Sequence, residues 1–371
     1  MSFKRITDLD TPCLVLDLDL FEANLEGMQR FVADTGRHLR PHAKTHKCSE
    51  AARRQIEAGA IGICAAKVSE AEALVASGIG GILITGPVSS PLKIERLVGL
   101  LERAPETMVV VDSAFSVGLL DRELARRGLR MNVLVDLDPH FGRTGVPFES
   151  ALEFADGLDK FQNLRLAGIQ VYAGHLQHVA IYSERREASL CVLREAADIF
   201  RSLRKRFPEC SIFSTSGTGT VDIDLEIPEI TEFQPGSYVC MDEEYLRIGS
   251  SANETAFETY APALRVLTGV VSANQRGFVT VDAGLKAIYR DGAIPRVFDA
   301  RYAHLAYEWF GDEYGKLQAP APGTSLPPLG TVLELVVSHC DPTINLHDRF
   351  HLIRKGEVVG EWPINLRGCC R

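Results

Sequence analysis

Between residues 11 and 300, short continuous apolar runs alternate with segments whose apolar positions recur every three or four residues. Residues 11–17 (TPCLVLD) read as a strand. In 20–35, Phe21, Leu25, Met28, Phe31 and Val32 fall on one helical face. Residues 37–44 lead into a loop. Further strands are predicted at 62–65, 81–84, 108–111, 132–136, 164–172, 212–214 and 232–234. Helices are predicted at 50–58, 68–77, 91–101, 113–127, 148–157 and 183–206. The count is roughly eight βα units, with strands that do not alternate and so suit parallel pairing buried on both faces. The expected fold is α/β, a (β/α)8 barrel. An open doubly wound sheet competes, weakened because no GxGxxG follows the first strand.

After about residue 258 the pattern changes. Residues 263–271, 277–281, 331–337, 350–354 and 357–362 read as strands of an antiparallel domain, and the Pro-rich 318–328 (QAPAPGTSLPP) as an irregular loop. The expected division is a barrel over 13–257 and a β-domain over 258–371, joined by residues 1–12.

Composition narrows the function classes. The 371 residues are 46% hydrophobic and 24% charged, which excludes a disordered, collagenous or coiled-coil chain. Net charge is −9 without a long basic run, so neither nucleic acid nor an anionic membrane is an expected partner. Nine cysteines, an odd number with Cys369 and Cys370 adjacent, point to reduced thiols in the cytoplasm. The start, MSFKRITDLDTP, lacks the apolar core of a signal peptide, and no apolar run reaches the ~18 residues of a membrane span.

In a barrel, chemistry collects at the C-terminal ends of the strands. Residues 40–47 (RPHAKTHK) crowd one Arg, two Lys and two His together, a setting in which neighbouring cations would lower a Lys amine pKa and free it to attack a carbonyl. After the 132–136 strand, Asp136 runs into a Gly-containing stretch with His140 and Arg143, where an Arg could meet an anionic oxygen. Tyr172 to His178 follows another strand and suits ring stacking and base work. Ser216, Gly217, Thr218 and Gly219, with Gly236, Ser237 and Tyr238, offer backbone N–H groups that could approach a phosphate. On an extended chain, His339 and Asp341 share a face and could bind one divalent cation, while Cys340 points away.

Taken together, these motifs resemble the fold-type III pyridoxal-phosphate enzymes, whose alanine-racemase-like barrel precedes a β-domain. Within them the chain is most similar to the D-threonine aldolase and D-serine dehydratase branch. The resemblance implies that Lys44 is the Schiff-base lysine and Arg143 the arginine near the cofactor's phenolic oxygen. It makes Tyr172 the cofactor-side tyrosine and His178 the histidine facing the substrate hydroxyl. Ser216, Gly217, Thr218, Gly219, Gly236, Ser237 and Tyr238 become the phosphate cup, and His339 with Asp341 the metal pair. The branch's dehydratases carry His-x-Cys with zinc there. His-x-Asp resembles the aldolases and implies Mn²⁺ or Mg²⁺ ahead of Zn²⁺. The implied activity is cleavage of D-β-hydroxy-α-amino acids, D-threonine or 3-hydroxyaspartate, to glycine and an aldehyde, with dehydration on the same scaffold as the rival. A carboxylate-bearing substrate needs an extra cation, for which His140, Arg143 and Arg290 are candidates. A homodimer, with one subunit's β-domain over the other's barrel, is implied too.

Overall fold

The computed structural model describes residues 4–371, so the expectation for 1–12 falls partly outside it. Strands β1 (Lys4–Arg5) and β2 (Cys13–Asp17) come first. Helix α1 (Leu18–Ala33) follows without a loop, because the Asp17 carboxylate caps it by accepting the N–H of Asp19 and Leu20. Its inward face is Phe21, Leu25, Met28 and Val32, as the spacing predicts, whereas Phe31 is 38% exposed.

Eight parallel strands then alternate with helices. They are β3 (His38–Leu39), β4 (Ile63–Ala65), β5 (Ile82–Ile84), β6 (Met108–Val111), β7 (Met131–Leu137), β8 (Leu164–Val171), β9 (Ile212–Thr215) and β10 (Glu232–Phe233). Between them lie α2 (Ser49–Glu57), α3 (Val68–Ala76), α4 (Pro91–Leu100), α5 (Ala114–Arg127), α6 (Ala151–Asp156), α7 (Tyr182–Arg206) and α8 (Val221–Asp224), with α9 (Glu243–Leu246) after the last strand. The sheet runs β3-β10-β9-β8-β7-β6-β5-β4 and curls shut. Closure comes from the chain just past β3: Cys64 N–H donates to Pro41 O at 2.8 Å and Ala43 N–H to Cys64 O at 2.9 Å.

The second sheet holds β1, β2, β11 (Leu264–Ser272), β12 (Phe278–Val281), β13 (Arg296–Val297), β14 (Ala306–Trp309), β15 (Gly315–Gln318), β16 (Val332–Val336), β17 (Arg349–Arg354) and β18 (Glu357–Pro363). A short helix, α10 (Cys340–Ile344), lies between β16 and β17. Most pairings are antiparallel, and β11 also pairs β16, which brings the sheet round on itself. One strand corrects the sequence reading. The apolar run at 13–17 is not the first barrel strand; β2 sits in the second sheet, antiparallel to β11 and parallel to β17. The barrel instead starts at β3, two residues long and inside the stretch read as leading to a loop. A fully apolar strand fits either sheet, and two residues are too few to show a period.

The barrel interior holds an apolar cluster (Cys64, Leu83, Met108, Val110, Leu134, Ala167) and a buried polar network. The Arg40 guanidinium pairs the Glu232 carboxylate through two bonds of 3.0 Å and also reaches Gly81 O. Ser214 Oγ donates to Glu232 at 2.7 Å, Gln234 Nε2 to Ser214 Oγ at 2.7 Å and to Gln170 Oε1 at 3.2 Å, and Gln170 Nε2 to Asp136 Oδ1 at 2.9 Å. Such a network is stable because every member is satisfied, and removing one charge strands the other. Glu232→Ala is expected to lower stability by about 3–5 kcal/mol in urea unfolding; a loss under about 1 kcal/mol would contradict a buried, uncompensated Arg40.

Candidate active site

Each barrel strand delivers its polar cluster to one rim. Lys44 follows β3, Arg143 follows β7, Tyr172 follows β8, residues 216–219 follow β9, and residues 236–238 follow β10. The mouth is a cleft of about 610 Å³ walled in part by His42, Lys44, Lys67, Arg143, Tyr172 and Gln234. Three of its lining side chains are Lys or Arg, and among the described residues no carboxylate lines it. An anionic occupant suits that wall.

Lys44 does not behave as the sequence predicted. Its Nζ donates to Asp341 Oδ2, 2.7 Å away in the second sheet's domain. Desolvation in the cleft opposes the ammonium, but the Asp341 carboxylate and Tyr172 outweigh it and hold the amine above its ordinary range. The cations expected to lower it are silenced. Burial drives the His42 ring well below its usual value and His46 down to about 4, so both are neutral. Lys47 pairs Glu70 at 2.7 Å in the core. His42 has a structural task instead: Nδ1 accepts the Lys44 N–H at 3.2 Å while Nε2 meets Thr85 Oγ1 at 3.0 Å, pinning the backbone that carries Lys44.

Arg143 lies over the Tyr172 ring at 5.2 Å and the Phe141 ring at 5.8 Å, and Phe141 stacks on His175. Beneath them Asp136 is pushed up to about 6 by burial, against hydrogen bonds from Gln170 and Thr144. His140 leaves the cleft and reaches Glu195 at 3.2 Å. Arg290 lies over Trp309 in the second domain.

Residues 216–219 and 236–238, the expected phosphate cup, are buried and do not line the cleft. Ser216, at φ +77°, turns its hydroxyl to Asp224, which also accepts from Thr220 at 2.7 Å. Gly219 N–H donates to Gln177 Oε1 at 3.1 Å, and Thr218 Oγ1 accepts the Tyr238 N–H at 3.0 Å. Ser237 Oγ comes within 3.4 Å of Asp341 Oδ1. The Tyr238 ring is buried against Tyr260 and its hydroxyl meets Gln55 at 3.2 Å, so only its backbone faces the loop. Bare Cα atoms allow the close packing: a Cβ on Gly217 would lie 2.3 Å from Gln177 Oε1 and one on Gly219 2.2 Å from Gln177 O. The cation-lined cleft with its lysine fits pyridoxal phosphate, whereas the Gly219 and Tyr238 N–H groups expected to meet the phosphate are engaged within the fold.

His339 and Asp341 do meet, but not by strand alternation. After β16 the backbone is extended at His339 and enters α10 at Cys340, so Asp341 is in the first helical turn. His339 Nε2 lies 4.0 Å from Asp341 Oδ1. Imidazole with carboxylate suits a divalent cation, and a small closing movement would bring the two donors to the roughly 3 Å of neighbouring ligands on one ion. Cys340 is buried, its N–H held by Asp242 Oδ2 at 2.8 Å. Burial opposes the Asp341 charge, yet Lys44 and His339 hold the carboxyl well below its usual range. His178 packs on Tyr245 with ring centroids 4.5 Å apart, and burial, helped by the His339 and Lys44 charges, holds it at about 4.

The sequence reading missed Glu244 and Asp291. Glu244 Oε2 lies 3.6 Å from both His178 Nε2 and His339 Nδ1, and burial pushes its carboxyl up to about 7. Asp291 Oδ2 is 3.1 Å from His339 Nδ1. The DEE run at 242–244, in the segment that leaves the barrel, is a readable signal for the first, whereas a turn aspartate in the second domain has none.

Two family models divide the chain. The alanine racemase N-terminal domain matches residues 16–244 and the putative serine dehydratase domain residues 263–353. D-threonine aldolase of Arthrobacter sp. is 39% identical over 98% of this chain and 94% of its own. The chain belongs to the D-threonine aldolase and D-serine dehydratase family of pyridoxal-phosphate lyases. A second member, 3-hydroxy-D-aspartate aldolase of Paracoccus denitrificans (strain Pd 1222), is 33% identical over 98% of this chain and 93% of its own. The crystal structure of D-threonine aldolase from Filomicrobium marinum superposes with a TM-score of 0.91 at 36% identity, covering 100% of this chain and 99% of that one.

The family's cofactor gives the cradle a test. In Gly219→Ala the new methyl meets the Gln177 carbonyl, and strain of ~1–3 kcal/mol in the binding-competent loop is expected to lower pyridoxal-phosphate affinity by about 5- to 150-fold. Equilibrium dialysis reads it; unchanged affinity would remove residues 216–219 from the cofactor site.

Proposed function

We propose that this protein is a metal-dependent pyridoxal-phosphate aldolase that cleaves D-β-hydroxy-α-amino acids of the D-threonine type to glycine and an aldehyde. The observation that carries the reading is the convergence of Lys44, from the barrel, and His339, from the second domain, on the single carboxylate of Asp341. When bound, the cofactor supplies an electron sink and the cation, Mn²⁺ or Mg²⁺ on a carboxylate donor, a Lewis acid. The residues proposed to hold the cofactor are Lys44, Arg143, Tyr172, the 216–219 loop and Gly236 with Ser237; His339 and Asp341 are those proposed for the cation.

Lys44 is held as an ammonium by Asp341; were that carboxylate to turn to a cation, Lys44 would release its proton to water and become a nucleophile. His178, neutral above about pH 4, is the group proposed to take the hydroxyl proton. The O–H electron pair becomes the aldehyde C=O, the Cα–Cβ pair stays on Cα, and Cα takes a proton to give glycine. Arg143, stacked on Tyr172, holds positive charge at the cleft wall. That wall also favours a second substrate, 3-hydroxyaspartate, because Lys67 and Arg143 both line it. His140 and Arg290, engaged elsewhere, are not proposed for that task.

The exposed Cys191 and the adjacent Cys369 and Cys370 are free thiols, which supports a reducing compartment, the cytoplasm. No helix among the described residues is long and apolar enough to cross a membrane. Tyr289, Ile294, Phe310 and Tyr314 expose apolar surface on the second domain, which supports a homodimer.

Incubation with D-threonine, L-threonine, D-3-hydroxyaspartate and D-serine, with Mn²⁺ or after chelation, is expected to yield glycine and aldehyde in equal amounts from the D-β-hydroxy substrates only with metal. Ammonia in place of glycine would mean dehydration and overturn the aldolase reading. Lys44→Ala is expected to abolish both the product and the visible absorption of the lysine-bound cofactor; absorption that survives would displace Lys44 from its role.

A further inference from the structure

The two ring nitrogens of His339 face different partners. Nε2 looks toward Asp341, the carboxylate that also holds Lys44 and approaches Ser237. Nδ1 looks the other way, 3.1 Å from Asp291 Oδ2 and 3.6 Å from Glu244 Oε2. An imidazole that ligates a metal keeps one proton, on the nitrogen turned away from the ion. An ionised carboxylate only accepts, so a hydrogen bond at 3.1 Å places the proton on Nδ1.

We propose that Asp291 is a positioning residue for the metal pair: it accepts the Nδ1–H of His339, fixes that tautomer and ring orientation, and leaves the Nε2 lone pair facing Asp341. The arrangement is a carboxylate–histidine–cation relay, in which the outer carboxylate orients the ring and raises its basicity. The local backbone supports it. Asp291 lies beside Gly292, at φ +56°, whose bare Cα lies so close to Glu244 that a side chain there would collide with the carboxylate. The turn thus delivers Asp291 to the outer side of the ring without displacing Glu244.

The opposite geometry makes a different statement about the same atoms. Donor atoms of Glu244, Asp291 and His339 lie within 4.8 Å of one another and could themselves hold a cation on Nδ1. Position argues against that choice. The Nε2 side opens toward Lys44, where the reacting carbon must be, whereas Asp291 is 52% exposed on the rim.

This inference rests on His339 and Asp341 being the metal pair, and the experiment separates the two ideas. Mn²⁺ affinity is measured by electron paramagnetic resonance on the cofactor-loaded protein and on His339→Ala, Asp291→Ala, Asp291→Asn and Glu244→Gln, with thermal melting of each metal-free variant as the folding control. The expected result is loss of binding in His339→Ala, a roughly 10–100-fold weakening in Asp291→Ala, substantial rescue in Asp291→Asn, whose amide oxygen still accepts the Nδ1–H, and little change in Glu244→Gln. Asp291→Ala with wild-type affinity overturns the proposal and leaves the metal pair standing. Asp291→Ala and Glu244→Gln that both lose binding as completely as His339→Ala also overturn it, by placing the cation on Nδ1. Wild-type protein that takes up no Mn²⁺ overturns the metal pair and this inference together.

Discussion

One ion pair joins the two halves of the molecule at the point where chemistry is proposed. Lys44 and Asp341, 297 positions apart, meet at 2.7 Å. Each holds the other in its charged form, so neither is free for its task until the contact yields. The pair depends on both domains holding still, and the scaffolding around it is dense. Asp242, fully buried after the last barrel strand, accepts N–H bonds from Tyr245 and from Cys340, which starts the helix carrying Asp341. Glu243 N–H and Glu244 N–H donate to Val337 O and Ser338 O, so the barrel's exit segment pairs with the segment leading to His339. On the other side, His42 and the Arg40–Glu232 network hold the backbone under Lys44.

What the sequence reveals depends on whether the deciding force is local. Short runs rich in buried apolar residues identify seven of the eight barrel strands, although the interior also takes Asp136, Gln170, Ser214 and Glu232, bonded in a network. The eighth, β3, escapes because its pairing partner comes from the far end of the barrel and its two residues, His38 and Leu39, show no pattern. Strand β2 is found but misassigned, since a fully buried run is equally at home between β11 and β17. The short strands β13, β14 and β15 go unread for a similar reason: edge and hairpin segments with alternating exposure look like loops.

The site follows the same rule. Residue types and spacing point to the polar clusters after the apolar strands and to the His339–Asp341 pair, and the family resemblance picks Lys44, Arg143, Tyr172 and His178 out of those clusters. Charge state was not legible. The basic stretch at 40–47 reads as mutual repulsion, yet folding sends Lys47 to Glu70, buries His42 and His46 as neutral rings, and brings a distant carboxylate to Lys44. An amine's pKa is set by what the fold places within a few ångströms, and the partner that decides it here lies in another domain.

The order of the chain explains why two sheets can share a site at all. The protein begins in the second sheet, with β2 paired to strands more than two hundred residues later, and only then builds the barrel. Helix α1 is capped by the last residue of β2 and contributes Asn24, whose amide donates to Ala261 O at 2.8 Å and accepts the Ala261 N–H at 2.9 Å. The start of the barrel and the start of the second domain are thereby locked side by side. A barrel with an appended domain would leave the distance from Lys44 to Asp341 to a flexible linker. A barrel that follows directly from a strand of that domain has the distance set by sheet pairing, and the proposed reaction, with a lysine from one and a metal ligand from the other, depends on that constraint.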